Sequence, residues 1–487
     1  MMRCVAFVTF CVALLFLALL GCGRNSQKQE DANRPSGGSV KDVAGDDVAG
    51  QDQKRGVVEP ITPTRQQVLQ QAGDLASKGD FESALPLLQR LLLVNPDDVE
   101  VLFQTALMHA GCGSLSEAID CLEGIPEDHP EAGIPALGQS ADWCLKLNDF
   151  DGAIDRYERI LAIDSRLTRA RRQLAYLLNR QGRRHEAAVH VRELCRQGDV
   201  RQDELQSLIV LSDAMLSDPA GVAKGELDYT PIGVSGEARK LFTERRYAEA
   251  ASVLRDAVAG GQVPPSVVAF YGRAAAEAQD DEAFRWWFAR TDETTRQYAE
   301  YWSAVGTYLA SEREFSAATR AFLESLDRDP TDFITMNRLL QALKMQGRND
   351  EYEKWEGRWK SLHEILLDSN ELSDSASPDP VLIEELAARL NALDRRLEAV
   401  IWKSIEAYYR QAPKEAFSHW NEERQSMVSA GKGFPDRRAR LCDVALDSYL
   451  CRISNWTPVL LRIPIRKILS PQLQETPHFA TLPKMLG

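Results

Sequence analysis

Four alanines, Ala84, Ala118, Ala153 and Ala187, recur along the chain at steps of 34, 35 and 34 residues. Their surroundings recur with them. The unit 65–98 reads Ala72, Leu75, Gly79, Phe81, Ala84, Leu88 and Pro96, and the next reads Ala106, Gly113, Leu115, Ala118, Leu122 and Pro130. Ala141, Phe150, Ala153, Tyr157 and Ile160 mark a third unit; Ala175, Leu178, Gly182, Ala187, Val191 and Leu194 mark a fourth. A unit this short cannot bury its apolar face alone, so such units stack on one another. The apolar spacing inside each is helical and is broken once near its middle, which predicts tandem helical hairpins. Small residues at the shared positions let the helix axes reach the short end of their usual ~8–10 Å separation.

The order is written most fully in Ala299–Asp332. Trp302, Val305, Gly306 and Leu309 fall at i, i+3, i+4 and i+7, Glu312-Arg313 makes a polar turn, and Phe315, Ala318 and Phe322 form the stripe of a second helix. Pro330 closes the unit, because proline lacks the N–H and disfavours a helical residue before it. Gly306 and Ala318 are placed where two crossing helices need close approach. This pattern resembles the tetratricopeptide (TPR) repeat, which runs Trp, Leu-Gly, Tyr, Ala, Phe and Pro over about 34 residues. The resemblance implies an all-α superhelix, a TPR solenoid. It implies as well a concave wall, lined by the first helix of each pair, that takes protein partners.

The period breaks after the fourth unit. Asp203–Leu216 reads as a helix, followed by a stretch with Asp218-Pro219, Gly221, Gly225, Pro231 and Gly233. Residues 202–230 are therefore an incomplete repeat plus a loop between a first array, 65–201, and a second, 231–413. Whether this is a hinge or a degenerate unit still stacked in line is open at this point. The second array starts with Ala238, Leu241, Tyr247, Ala250 and Leu254, and contains the aromatic run Trp286-Trp287-Phe288. That run suits either an interface anchor or the filling of a degenerate repeat. Ser369–Asp379 reads as a polar loop, and Leu386, Ala387, Leu390, Leu397 and Ala399 mark the final unit. Residues 414–487 diverge: a helix over Lys414–Ala430, another over Asp436–Tyr449, then prolines at 458, 464, 471, 477 and 483 around the apolar runs Val459–Ile463 and Ile465–Leu469. This ending is either a strap over the last hairpin or a docking segment.

The N-terminus is of another kind. Met1-Met2-Arg3 precedes the apolar run Val5–Leu20, which ends in Leu19-Leu20-Gly21-Cys22. This resembles a bacterial lipoprotein signal peptide, residues 1–21, whose lipobox makes Cys22 the acylated first residue of an exported, envelope-anchored protein. Gly23, in place of an aspartate, favours the outer membrane by the same resemblance. Residues 22–64 carry that cysteine and a tether rich in Gly, Asp and Gln.

The net charge of −14 argues against a general nucleic-acid binder, which needs a basic face. No metalloprotease, hydrolase-elbow, phosphate-loop or dinucleotide motif is present, so neither an enzyme nor a cofactor or metal is expected. The cysteines show no metal-ligand spacing, and Cys144 falls on a core-facing repeat position as a buried thiol.

Candidate binding residues lie on helix faces. Arg169, Arg172, Tyr176 and Asn179 follow i, i+3, i+7 and i+10, apart from the apolar Leu174, Ala175 and Leu178. Such a row suits an acidic group of a protein partner, held by charge-assisted hydrogen bonds; it suits a solvated surface as well. Asn337, Gln341 and Lys344 occupy the comparable face in the unit 333–366. The Lys/Asn set of the family's carboxylate-clamp members is not traced, so recognition of a chaperone tail is not implied. The resemblance extends to TPR lipoproteins that assist outer-membrane assembly, pilus assembly or polysaccharide export. Against this scaffold stands a second reading, a ligand or catalytic site formed by 414–487.

Overall fold

The computed structural model describes residues 63–213, 230–261, 263–374 and 378–430, and every regular element within them is helical. The signal segment, Cys22, most of the tether, and the ending beyond Ala430 with Cys442 and Cys451 lie outside the described residues.

Four hairpins open the chain. They pair α1 (Arg65–Ser77) with α2 (Phe81–Val94), α3 (Val99–Gly111) with α4 (Leu115–Glu123), α5 (Gly133–Lys146) with α6 (Phe150–Ile163), and α7 (Thr168–Arg180) with α8 (Arg184–Gln197). A single short helix, α9 (Gln202–Gln206), follows. Then come α10 (Gly233–Thr243) with α11 (Tyr247–Gly260), α12 (Pro265–Glu277) with α13 (Asp281–Phe288), and α14 (Ala299–Ser311) with α15 (Phe315–Arg328). The last pairs are α16 (Phe333–Met345) with α17 (Asn349–Asp374) and α18 (Pro380–Ala392) with α19 (Arg396–Tyr409), closed by α20 (Lys414–Ser429). The architecture is an all-α solenoid of stacked hairpins.

The turn inside each hairpin explains why the second array looked irregular in sequence. Each such turn places one residue in the left-handed region: Gly79, Gly113, Asn148, Gly182, Arg245, Gln279, Arg313, Gly347 and Asp394, with φ between +56° and +84°. From Arg245 to Gly347 the steps are 34, 34 and 34 residues, as strict as in the first array. A non-glycine residue there costs on the order of 1–2 kcal/mol, which the flanking helices hold in place. Gln279→Gly should therefore raise stability by about 1 kcal/mol in urea denaturation, the relieved strain exceeding the entropy glycine adds to the unfolded chain.

Gly306 gives room to a ring: a Cβ there would lie 2.5 Å from Phe322 of α15. Gly272 of α12 does the same for Trp287 of α13, at 2.1 Å. Trp287 is fully buried and donates its indole N–H to the Val268 carbonyl at 2.7 Å, so the aromatic run is anchored in the core. Ala318 is also fully buried, and Ala318→Leu should overpack the hairpin by about 1–3 kcal/mol, read from the same urea midpoints.

Two local expectations change. Of the helix expected over 203–216, the described residues hold only α9 and then irregular chain over 207–213, while 214–216 lie outside them; the polar loop expected from Ser369 begins later, because α17 runs on to Asp374. Leu205, Leu208, Ile209, Val210 and Leu211 are all buried, although four of them lie outside any helix. Their backbone oxygens need partners, since an unpaired buried carbonyl is costly. Arginines supply them for Leu208 and Val210, and for the flanking Ser207 and Ser212. Arg184 of α8 donates to the Ser207 and Val210 carbonyls at 2.9 and 2.7 Å, Arg239 of α10 to Ser212 at 2.9 Å, and Arg395 to Leu208 at 2.8 Å. The Leu211 N–H donates to Thr331 Oγ1 at 3.1 Å. This strap, 205–212, is thus wedged between the two arrays. α8 also touches α19 and α20, so the last hairpin returns to the fourth. The described residues 205–212 thus make hydrogen bonds to both arrays, and 214–229 of the expected loop lie outside the described residues.

Candidate functional site

Of the four candidate residues on α7, two are committed within the chain. Arg172 pairs with Glu204 through Nε and with Asp199 through Nη2 at 3.0 Å, and also reaches the Asp199 carbonyl at 2.7 Å. Burial works against its charge, but these acids outweigh it and hold the guanidinium above its ordinary value. Asn179 Oδ1 accepts from Arg184 at 3.1 Å, the same arginine that caps the strap. Tyr176 keeps its ring exposed while its hydroxyl accepts from Arg180 at 2.9 Å, and Arg169 is exposed. On α16, Asn337, Gln341 and Lys344 are all exposed and share one face at i, i+4 and i+7. The open surface is therefore better developed on α16 than on α7.

Behind α7 and α8 lies a buried set of charges. Arg239 pairs with Glu300 and stacks 3.5 Å over the Phe270 ring. Arg273 Nη2 donates to Asp332 Oδ1 at 2.9 Å, and Nη1 lies 2.8 Å from Oδ2, with both side chains fully buried. His185 Nε2 sits 2.9 Å from Asp329 Oδ2. Burial disfavours the imidazolium, but the hydrogen bond and charge of Asp329 prevail and raise His185; Asp329 is lowered in turn, its partner His185 overcoming the effect of burial. His190 behaves oppositely. Burial, then the Arg171 guanidinium 3.3 Å away, push it down to about 4.

The two histidines impose opposite slopes. Between about pH 4 and the usual histidine value near 6.5, the unfolded chain protonates His190 and the folded chain does not, so stability rises with pH. The His185 contribution is complete below about pH 6.5 and is lost as pH climbs through its raised folded value. Melting temperature against pH should peak near pH 6.5. His190→Gln should flatten the acid limb and His185→Gln the alkaline one.

A separate cleft of about 490 Å³ opens between the turn after α8, helix α19 and helix α20, within the usual ~300–1,000 Å³ of ligand clefts. Its walls carry Ile401, Ile405, Tyr408, Tyr409 and Trp420. Tyr408 is 69% exposed. Tyr409 donates its hydroxyl to Gln202 Oε1 at 3.1 Å. Two of the thirteen lining residues are charged, and both are arginines, Arg201 and Arg424. Arg424 donates to the Arg196 carbonyl and to Asn421 Oδ1, neutral acceptors both, and burial lowers it. Its guanidinium lies on the backbone of Gly198, where a Cβ would stand 2.7 Å from Cζ. Residues 414–430 thus contribute one wall of a cleft, while the rest of the segment read as a second site lies outside the described residues. Sequence reasoning missed the cleft. Its signal was the Tyr408-Tyr409 pair, together with Trp420 beyond the end of the repeat pattern.

Among the described residues, no three His, Cys, Asp or Glu side chains gather to hold a metal, and Cys112, Cys121, Cys144 and Cys195 are free thiols. Cys144 and Cys195 are buried.

No curated protein matches the sequence. Among solved structures, the Cut9–Hcn1 hetero-tetramer of the APC/C is 16% identical, covering 79% of this chain and 80% of that one, with a TM-score of 0.28. A tetratricopeptide repeat protein from Parabacteroides merdae is 12% identical over 57% of this chain and 98% of its own, with a TM-score of 0.24. The human IFIT1 dimer with m7Gppp-AAAA is 14% identical over 73% and 88%, with a TM-score of 0.26. Overlap this low says nothing of what this chain binds. Residues 69–132 match the family model described as tetratricopeptide repeat, and the hairpins stacked behind them continue the same pattern.

Proposed function

We propose that this chain is a non-enzymatic TPR scaffold or assembly-factor lipoprotein that holds protein partners at the bacterial cell envelope. The observation that carries the reading is the open polar face of α16, where Asn337, Gln341 and Lys344 project from a rigid stack of hairpins. Stacked repeats present such faces side by side, and the concave wall they form is the surface on which a partner lies. Arg169 and Tyr176 are exposed on α7 and are proposed as a second part of the binding surface.

The anchor is the acylated Cys22, supported by the apolar run Val5–Leu20 and the Leu-Leu-Gly-Cys ending. No helix among the described residues is long and apolar enough to cross a membrane. Several acyl chains, each buried CH₂ contributing about 0.8 kcal/mol, hold a protein stably where one does not. The outer membrane is the destination favoured by Gly23.

A photo-crosslinking residue placed at 337, 341 or 344 tests the scaffold. A discrete protein adduct from cells is expected at these positions and not at the buried Leu343; no adduct from a chain of unchanged helicity overturns it. Radiolabelled palmitate incorporation that disappears with Cys22→Ala tests the anchor, and density fractionation of the envelope tests its membrane.

A further inference from the structure

We infer that the cleft walled by α19 and α20 is a docking pocket for an acidic–apolar segment of a protein partner. A bulky apolar side chain of that segment enters between Tyr408, Tyr409 and Trp420, and an aspartate or glutamate beside it meets Arg201 and Arg424. The inference rests on the scaffold reading and names the chemistry of the partner.

Three observations converge on it. The first is charge. Neither arginine faces an acid among the residues lining the cleft; of the acids beside Arg201, Asp199 is committed to Arg172 and Thr168, and Glu204 pairs with Arg172 and accepts from the Arg201 backbone N–H. A carboxylate arriving there forms charge-assisted hydrogen bonds without displacing an existing ion pair. The second is exposed aromatic area. Tyr408 is among the most exposed large side chains described, although its ring lies only 5.4 Å from Tyr409. Aromatic and arginine side chains in a concave setting are the usual anchors of protein interfaces. The third is preorganisation. Arg424 is fixed between Gly198 and Asn421, and Tyr409 is tied to Gln202, so little side-chain freedom is lost on binding. A nucleic acid would also satisfy arginines, but its many phosphates would face a chain of net charge −14. A short acidic segment meets only the local positive site.

The probe is a fluorescein-labelled, acetylated and amidated hexapeptide, Ser-Asp-Phe-Leu-Glu-Ser, titrated into the full chain by fluorescence anisotropy. Two comparison peptides replace the acids by Asn and Gln, or Phe-Leu by Ala-Ala. Binding is expected for the first peptide and at least tenfold weaker for each of the others. Tyr408→Ala and Arg201→Glu both alter exposed side chains, and each should weaken binding at least tenfold with unchanged circular dichroism. Equal binding of the neutral peptide, equal binding by both variants, or no binding overturns the proposal. So does a concentration-dependent mass that the variants abolish, which would place a second copy in the cleft. Adducts from position 337 that persist in the Tyr408→Ala/Arg201→Glu double variant would leave the scaffold standing while the cleft proposal falls. Loss of every adduct from the wild-type chain would bring down the scaffold itself.

Discussion

Asp332→Ala should destabilise the protein by about 3–5 kcal/mol, the cost of leaving a buried charge without its partner. Asp332 has two duties. It accepts from Nη2 of Arg273 and lies within ion-pair distance of Nη1, in a fully buried pair. It also caps α16, accepting from the Ile334 and Thr335 N–H groups at 3.1 Å each and from the Thr335 hydroxyl at 2.7 Å. Asp332→Asn separates these duties, because it retains the cap oxygen and removes the charge. It should lie between Asp332→Ala and wild type. Adding Arg273→Met to Asp332→Asn should recover part of the loss, since removing both ions of a buried pair is far less damaging than removing one. Urea midpoints with unchanged slopes are the measurement. A loss below about 1 kcal/mol for Asp332→Ala would mean the pair is not desolvated as described.

The second large effect is expected at the strap. Leu208 is fully buried although it belongs to no helix, and its carbonyl accepts from Arg395. Leu208→Ala should cost about 2–5 kcal/mol, the range for a large-to-small change in a core that cannot collapse around the cavity. Because the strap is wedged between both arrays, its loosening should show first as new protease cleavage within 202–230. Loss of stability with no new cleavage there would place the damage elsewhere.

These two sites mark the limit of what the sequence discloses. The alanine and aromatic stripes were legible because a period of 34 leaves a trace at every unit, and Gly306 could be placed at a close approach. Its partner could not: that depended on which ring, Phe322, filled the space. The second array's regularity was hidden because its turns use Arg245, Gln279 and Arg313 where the first array mostly uses glycine. Charge was the least legible. Arg172 looked like a ligand-binding residue, yet its acids lie 27 and 32 positions away, across a break in the repeat. Arg273 sits amid Phe270, Tyr271 and Ala274–Ala276. A lone cation in an apolar helix was the one available sign that an acid must meet it inside the protein.

The return of the last hairpin to the fourth also sets a timetable. Open repeat arrays assemble from neighbours outward, each unit adding to the one before. Here Arg395 meets Leu208 across 187 positions, and Arg424 meets Arg196 across 228. Until the last hairpin is in place, a run containing Leu205, Leu208, Ile209, Val210 and Leu211 lacks the part of its cover that Leu397 and Trp402 supply, although α7 and α8 precede it. Such a stretch is a ready substrate for chaperones until the chain has arrived in full.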